Sequence, residues 1–434
     1  MRTIEACKKM NYPEKDKIHI YICDDGNRQE IQNLAQKCEI NYISRNNRND
    51  AKAGNYNNAL KKTSSPFVAT FDADMAPTED FLLNTIPFFF KEKKVGFVQL
   101  PQSFINPDIF QYRFKLDKKI PSEQDYFYHS IQIKKNKTNS VIFCGTNALF
   151  SRKALQEIGG FATGTLTEDI ATGMQIEANG YKGIGIDNIG AYGINVNDFY
   201  SFSKQRSRWA RGCIQMSKKY KILRMKGLSF KQKMEYFSCV SYWFFGFRRL
   251  IFLLAPLLFS ICGIVIVDCN LIAFLCLWLP GYLLKRYIID LMEKRKRSST
   301  WNKIYETIQM PILAFKTLKE FIGPKNYNFD VTQKNKVDYK MDSANKKAFI
   351  CHFTLLILNI IGFVMCFTRI YDDNIYNYIL SFVWTSSNIF YLFVSVLFDL
   401  RYKKYDYKDY CPNKITKYKY SSILHIFHCY NSQL

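Results

Sequence analysis

The run FVATFDADMAP, Phe67 to Pro77, closes an apolar stretch with two acids, Asp72 and Asp74, one residue apart. Carboxylates that close repel one another unless a cation or a set of hydrogen bonds holds them. At a strand end such a pair suits a divalent metal, Mg²⁺ or Mn²⁺, that keeps waters in its shell and takes its remaining oxygens from phosphate groups. A metal held this way neutralises a leaving diphosphate as a Lewis acid. The plain alternative is a solvated turn. Asp24 and Asp25 in CDDGN end a second apolar run, and there too a turn is the plain reading, because Asp-Gly is a common turn pair.

Three further stretches carry chemistry. In DAKAGNYNNAL, residues 50–60, Lys52 precedes a Gly-Asn turn and a helix start, so its ammonium meets either a phosphate or only water. In TLTEDIATGMQIEANG, residues 165–180, Thr165 or Thr167 caps a helix that opens with Glu168 and Asp169. Acids in a first turn are ordinary macrodipole partners. The functional reading makes Asp169 a general base that accepts a proton from an attacking sugar hydroxyl. KQRSRWARG, residues 204–212, sets four cations around Trp209. Either this is an interfacial helix with arginines on lipid phosphates, or Arg208 or Arg206 meets a diphosphate and Trp209 lies under a sugar ring.

Short apolar runs must position these groups. From about Ile18 to Tyr200, IHIYIC, NYISR, FVATFD and VGFVQL read as strands. QEIQNLAQKC, NYNNALKKT and EDFLLNTIPFFF read as helices between them. The alternation predicts a layered α/β sheet with ligands at the carboxyl ends of its strands, where both DDG and DAD fall.

The second half differs. Leu250–Val267 is an uncharged run of 18 residues, Ala348–Thr368 and Tyr378–Phe398 are runs of 21, and residues 269–284 form a shorter one containing Pro280. A bilayer core takes roughly 20 apolar residues as helix, which predicts about four spans near 240–267, 269–288, 348–368 and 376–398. Residues 285–347 hold 15 Lys and Arg, and the tail 401–434 is again basic. By the positive-inside rule these segments and the N-terminal domain, residues 1–223, face the cytoplasm. The net charge of +24 is then largely a basic inner face on anionic lipid, and no recognition module for nucleic acid accompanies it. Thirteen cysteines without a C-x-x-C pair point to neither a zinc site nor a redox motif.

The order Asp24-Asp25, Asp72-x-Asp74, Thr167-Glu168-Asp169 and Gln205-x-x-Arg208-Trp209, followed by membrane spans, closely resembles the processive family 2 glycosyltransferases, and within them the catalytic subunits of bacterial cellulose synthases. QLPQSFINPDIF, FCGTNALFSRKALQEIGGF, FRRLIFLLAPL and WNKIYETIQMPIL match further segments of that family, and NFDVTQK, residues 328–334, matches its gating loop. The resemblance covers the chain to about residue 404. It implies a GT-A-type, Rossmann-like domain that transfers glucose from UDP-glucose with inversion, extending a β-glucan that leaves through a channel of the membrane helices. The segment 224–400 would hold those helices, with amphipathic interface helices and the gating loop in 289–347.

The resemblance also assigns roles. Asp24 or Asp25 would contact the nucleotide. Asp72 and Asp74 would hold UDP and the metal, Lys52 would stabilise the leaving charge, and Asp169 beside Glu168 would be the base. Cys144 and Gly145 lie in the acceptor stretch. Gln205, Arg208 and Trp209 would form the acceptor and diphosphate site, while Phe329, Val331, Thr332 and Lys334 would close over bound UDP. Implied partners are the UDP-sugar, the growing polysaccharide, the lipid bilayer of the cell (inner or plasma) membrane, and an accessory synthase subunit. Three departures stand out. The chain begins after the family's first strand and N-terminal membrane helices, Ile105 replaces an aromatic residue, and the tail is too short for a PilZ module that binds cyclic-di-GMP. Two other readings share these features: the same chemistry with UDP-N-acetylglucosamine, as in chitin, hyaluronan or poly-N-acetylglucosamine synthases, and a non-catalytic membrane scaffold.

Overall fold

The computed structural model describes residues 1–117, 119–196, 198–266, 272, 274–292, 298–323, 340–368 and 375–401. In chain order, α1 (Arg2–Lys9), β1 (Tyr21–Asp24), α2 (Gln29–Lys37), β2 (Asn41–Ser44), α3 (Ala51–Lys62) and β3 (Phe67–Thr70) come first. Then follow β4 (Ala76–Pro77), α4 (Phe81–Lys91), β5 (Val95–Gln99), β6 (Gln102–Phe104), α5 (Ile109–Phe114) and α6 (Gln132–Lys135). β7 (Ala148–Ser151), α7 (Arg152–Glu157), α8 (Glu168–Ala178), β8 (Lys182–Gly185) and β9 (Ala191–Gly193) complete the α/β part.

The central sheet has the order β3-β7-β5-β8, antiparallel except for the β5/β8 pair. VGFVQ, the β5 segment, is buried along its whole length, apolar up to Gln99, because both of its faces are covered. Phe97 packs with Phe143, Phe150 and Ile176 on one face, and Val98 with Leu82 and Leu149 on the other. β1 and β2 form a separate parallel pair, and β4, β9 and β6 a small mixed sheet beside the Asp72–Asp74 turn.

Seven α-helices follow among the described residues: α9 (Phe199–Tyr220), α10 (Phe230–Tyr242), α11 (Phe245–Cys262), α12 (Leu279–Met292), α13 (Ser299–Ile322), α14 (Lys340–Thr368) and α15 (Ile375–Leu400). Among the described residues three helical stretches are long and apolar enough to cross a membrane: Phe245–Cys262, Asn345–Thr368 and Tyr376–Leu400. The expected span near 269–288 is not among them. Its described part is helical from Phe274 to Met292 and carries Lys285, Arg286 and Asp290, while residues 267–271 and 273 lie outside the described residues. The gating-loop residues Phe329, Val331, Thr332 and Lys334, and the tail from residue 402, also lie outside them.

The α/β part and the helices share one apolar core. Ile109, Phe110, Phe199 and Phe202 pack with Ile304, Tyr305, Ile308, Tyr391 and Phe398. Arg113 crosses this junction, donating to the Phe398 carbonyl (3.2 Å) and to Asn345 Oδ1 (3.1 Å). Helix α13 buries one face, including Ile304, Ile308 and Leu313, and leaves Phe315, Phe321 and Ile322 exposed. Its Glu320 accepts from Arg211 Nε (2.7 Å) and Gln215 Nε2 (2.8 Å) of α9. Deeper among the spans, His352 Nδ1 meets Asp399 Oδ2 at 2.6 Å and its Nε2 meets the Thr307 carbonyl at 3.0 Å.

Candidate active site

The acids expected at strand ends do end strands. Asp24 is the last residue of β1, and Asp72 follows β3 by two residues. Helix α3 starts earlier than the sequence suggests. Gly54 lies inside it, and Lys52 stands in its first turn rather than before it. Asp50 and Ala51 turn the chain into the helix with φ of 57° and 41°, which aims Lys52 back across the end of β3. A β-carbon on Gly54 would fall 2.2 Å from the Asn49 carbonyl oxygen and 2.3 Å from Arg45 Nη1, so glycine leaves room for the loop backbone and for the Arg45 guanidinium that donates to it.

Lys52 is the hub. Its ammonium forms an ion pair with Asp72 Oδ1 and donates to the Gly145 carbonyl at 2.6 Å. The Asp72 N–H donates to Thr146 Oγ1 at 3.0 Å, so the loop before β7 holds the turn in place. Burial favours a neutral amine at Lys52, but the charge of Asp72, with Tyr56 and Glu168, outweighs it and holds the group cationic. Gly145 has φ of +85°, and a β-carbon there would lie 2.9 Å from Asp169 Oδ2 and 3.5 Å from Lys52 Nζ. Glycine suits that position because the Asp169 and Lys52 side chains occupy the space and the backbone is left-handed.

Asp169 stands in the first turn of α8, and its Oδ1 accepts from the Ile170 N–H at 2.8 Å. Thr167 holds the cap position, yet its hydroxyl makes no capping bond and is buried without a partner, as is that of Thr165. Burial raises the proton affinity of Asp169 against the pull of Lys52 and Arg208. Glu168 is raised as well, by burial first and then by the charge of Asp169, with Lys52 and Arg208 opposing. Arg208 thus belongs to this cleft. Cys144 also borders it: burial and the neighbouring Asp169 charge push its thiol up, while Gln99 Oε1 fixes its backbone N–H at 3.0 Å. It is a neutral, packed thiol.

Asp24 and Asp25 are held by other groups. Asp24 accepts from the Gly26 and Arg28 N–H groups, the Arg28 guanidinium and Tyr42 Oη. Burial works against its charge, but the Arg28 bonds win and hold it well below the usual carboxylate range. Asp25 takes a two-pronged contact from Arg45, at 2.5 and 2.9 Å. Asn55 of α3 ties that strand end to the Lys52 helix by donating to the Cys23 carbonyl at 2.8 Å.

Arg206 departs from expectation. It is buried, 4% exposed, pairs with Glu123, and lies 4.4 Å from the Trp209 ring centroid. It therefore faces neither a lipid phosphate nor an open diphosphate site. Gln205 Oε1 is buried without a hydrogen-bond partner, and Trp209 is half-buried with Trp243 edge-on at 6.5 Å. Sequence reasoning missed Tyr56, which lies 5.5 Å from Lys52 Nζ and could have been found as its i+4 partner. It also missed Thr146 and Glu123, which no spacing marks.

Among the described residues no three His, Cys, Asp or Glu side chains gather as a metal-ligand set. The half-exposed Asp72 and exposed Asp74 nonetheless fit a hard cation that draws the rest of its shell from water and phosphate.

Residues 67–288 match the family model described as glycosyl transferase family group 2. The chain is 34% identical over 360 residues to a cellulose synthase catalytic subunit (UDP-forming) of Pseudomonas fluorescens (strain SBW25), covering 83% of this chain and 48% of that protein. It is 33% identical over 322 residues to the cellulose synthase 1 catalytic subunit (UDP-forming) of Komagataeibacter xylinus, covering 74% of this chain and 43% of that one. The chain thus spans about half the length of these relatives. A solved mannosyltransferase from Pyrobaculum calidifontis, in complex with GDP-Man and Mn²⁺, aligns with TM-score 0.47 and 19% identity over 73% of this chain and 82% of that one, a likeness too loose to argue from.

Proposed function

We propose, for a chain that belongs to glycosyl transferase family group 2, that it polymerises glucose from UDP-glucose by inverting, processive transfer and passes the β-glucan through its membrane helices. The observation that carries this reading is the convergence on Lys52: Asp72 in ion contact, Gly145 beneath it, and Asp169, Glu168 and Arg208 alongside. This grouping supports a reading in which cations for a leaving diphosphate and a half-buried acid for an incoming hydroxyl share one cleft. The kinship with cellulose synthase catalytic subunits supports glucose as the sugar.

In this mechanism Asp72 and Asp74 hold a Mg²⁺ or Mn²⁺, which when bound supplies Lewis-acid neutralisation of the diphosphate. Lys52 and Arg208 add cationic donors to the same departing group. Asp169 accepts the proton of the attacking hydroxyl, a service typically worth about 10²–10⁴-fold in rate. Its half-buried setting, which raises its proton affinity, suits that task. Gln205, with its unpaired amide oxygen, and Trp209 hold the acceptor end, bordered by Cys144 and Gly145. Asp25, and Asp24 through the turn it braces, border the nucleotide, and Phe329, Val331, Thr332 and Lys334 close over it. The basic loops support a cytoplasmic catalytic domain in a multi-pass membrane protein, with an accessory subunit as a further partner.

The test is incorporation of radiolabel into polymer by the membrane-reconstituted chain, with UDP-glucose and UDP-N-acetylglucosamine supplied separately. Label from UDP-glucose alone supports the reading. Label from UDP-N-acetylglucosamine alone moves the chain to an amino-sugar polymer, and label from neither contradicts synthesis by this chain.

A further inference from the structure

The structure assigns Glu123 and Arg206 as positioning residues that set the indole of Trp209, a role that rests on Trp209 being the acceptor platform. Arg206 is one helical turn short of Trp209 on α9 and folds back over it, its guanidinium carbon 4.4 Å from the Trp209 ring centroid and 4.8 Å from that of Phe202. Glu123 holds the other side of the guanidinium in an ion pair whose side chains are only 5% and 11% exposed. A charge so placed cannot swing out to a ligand without stranding its partner in the interior.

Glu123 is itself anchored. Its N–H donates to Asp108 Oδ2 at 2.9 Å, and Asp108 caps helix α5 through the Phe110 and Gln111 N–H groups. Helix α5 is the one joined to the membrane helices by Arg113. A guanidinium on the indole is worth most when desolvated, and here it covers part of the ring while Trp243 stands edge-on to it. What remains open of Trp209 is fixed in direction. A sugar ring stacked there is held relative to Asp169, and the angle is set by α5 rather than by α9 alone.

The experiment separates positioning from folding. The full chain is labelled with 5-fluorotryptophan at its five tryptophans, and the Trp209 ¹⁹F resonance is assigned by its loss in Trp209→Phe. Arg206→Met and the charge-swapped double variant Glu123→Arg with Arg206→Glu are compared with the parent. The swap restores an ion pair, and hence thermal stability, but leaves no guanidinium on the indole from residue 206. Expected in both variants are a shifted Trp209 resonance, at least tenfold less long polymer, and a KM for the UDP-sugar within twofold of the parent. An unmoved resonance in Arg206→Met, or parent-length polymer from the swap, overturns the assignment. If the parent itself turns over no UDP-sugar, the proposed activity fails on its own and the resonance alone decides the brace.

Discussion

Lys52 and Asp72 form an ion pair between the first turn of α3 and the end of β3, and the same ammonium reaches the Gly145 carbonyl at 2.6 Å. One cation thus ties the expected metal-binding turn to the loop that faces Asp169. Lys52→Met should loosen that turn and remove a diphosphate donor. UDP affinity in the presence of Mn²⁺ should fall at least about tenfold, equivalent to ~1.4 kcal/mol, as read by calorimetric titration. Affinity within twofold of the parent would remove Lys52 from the site.

Gly145→Ala tests how tightly the cleft is packed. The added methyl meets Asp169 Oδ2 at 2.9 Å and sits at φ of +85°, which L side chains rarely adopt. Displacing the base by a fraction of its hydrogen-bond length should lower kcat by on the order of 10²-fold, with UDP binding much less affected. Normal turnover would show that Asp169 is not the group that needs this space.

The pH profile separates Asp169 from Glu168. Both acids are raised, Glu168 to about 7, so the acidic limb of kcat/KM should lie well above the ordinary carboxylate value of about 4. Asp169→Asn should abolish transfer, while Glu168→Gln should keep a measurable rate and an acidic limb. The stability sign follows from linkage. An acid whose folded pKa is raised costs nothing at pH 4 and penalises the fold increasingly as pH rises toward 7. Glu168→Gln should therefore melt higher than the parent at pH 8 and equally at pH 4. The reverse order would contradict the burial that raises Glu168.

The buried pair of His352 and Asp399, both side chains fully enclosed, fastens α14 to α15 and, through the Thr307 carbonyl, to α13. Removing one partner strands the other. His352→Leu should cost about 3–5 kcal/mol in detergent unfolding, with UDP binding by the remaining folded protein unchanged. A melting temperature equal to the parent's would show the pair to be dispensable.

Much of the site was legible because its acids punctuate apolar runs. Asp24, Asp72 and Asp169 are each marked by a strand end or a helix start. Four strands and two helices of the α/β part fall where periodicity puts them, and α3 begins four residues before the helix read from the sequence. β7, β8 and β9 were not legible, since ALFS, KGIG and AYG are too short to show a period. Lys52 was misplaced because Gly-Asn reads as a turn, whereas here the glycine lies inside the helix, against the Asn49 carbonyl and Arg45. Arg206 looked like a ligand because exposure cannot be read from a run of cations. Its partner, Glu123, lies 83 residues away, and only tertiary packing brings the two together.

The central claim is that Asp72 and Asp169 serve one cleft with separate duties, one for the metal-bound nucleotide and one for the incoming hydroxyl. Mn²⁺-dependent UDP titration of Asp72→Ala and Asp169→Asn, alongside polymer synthesis from UDP-glucose, measures both duties at once. The account requires Asp72→Ala to lose at least about tenfold in affinity, and Asp169→Asn to bind UDP within twofold of the parent while making no polymer. Unchanged binding by Asp72→Ala, or robust polymer from Asp169→Asn, would contradict it.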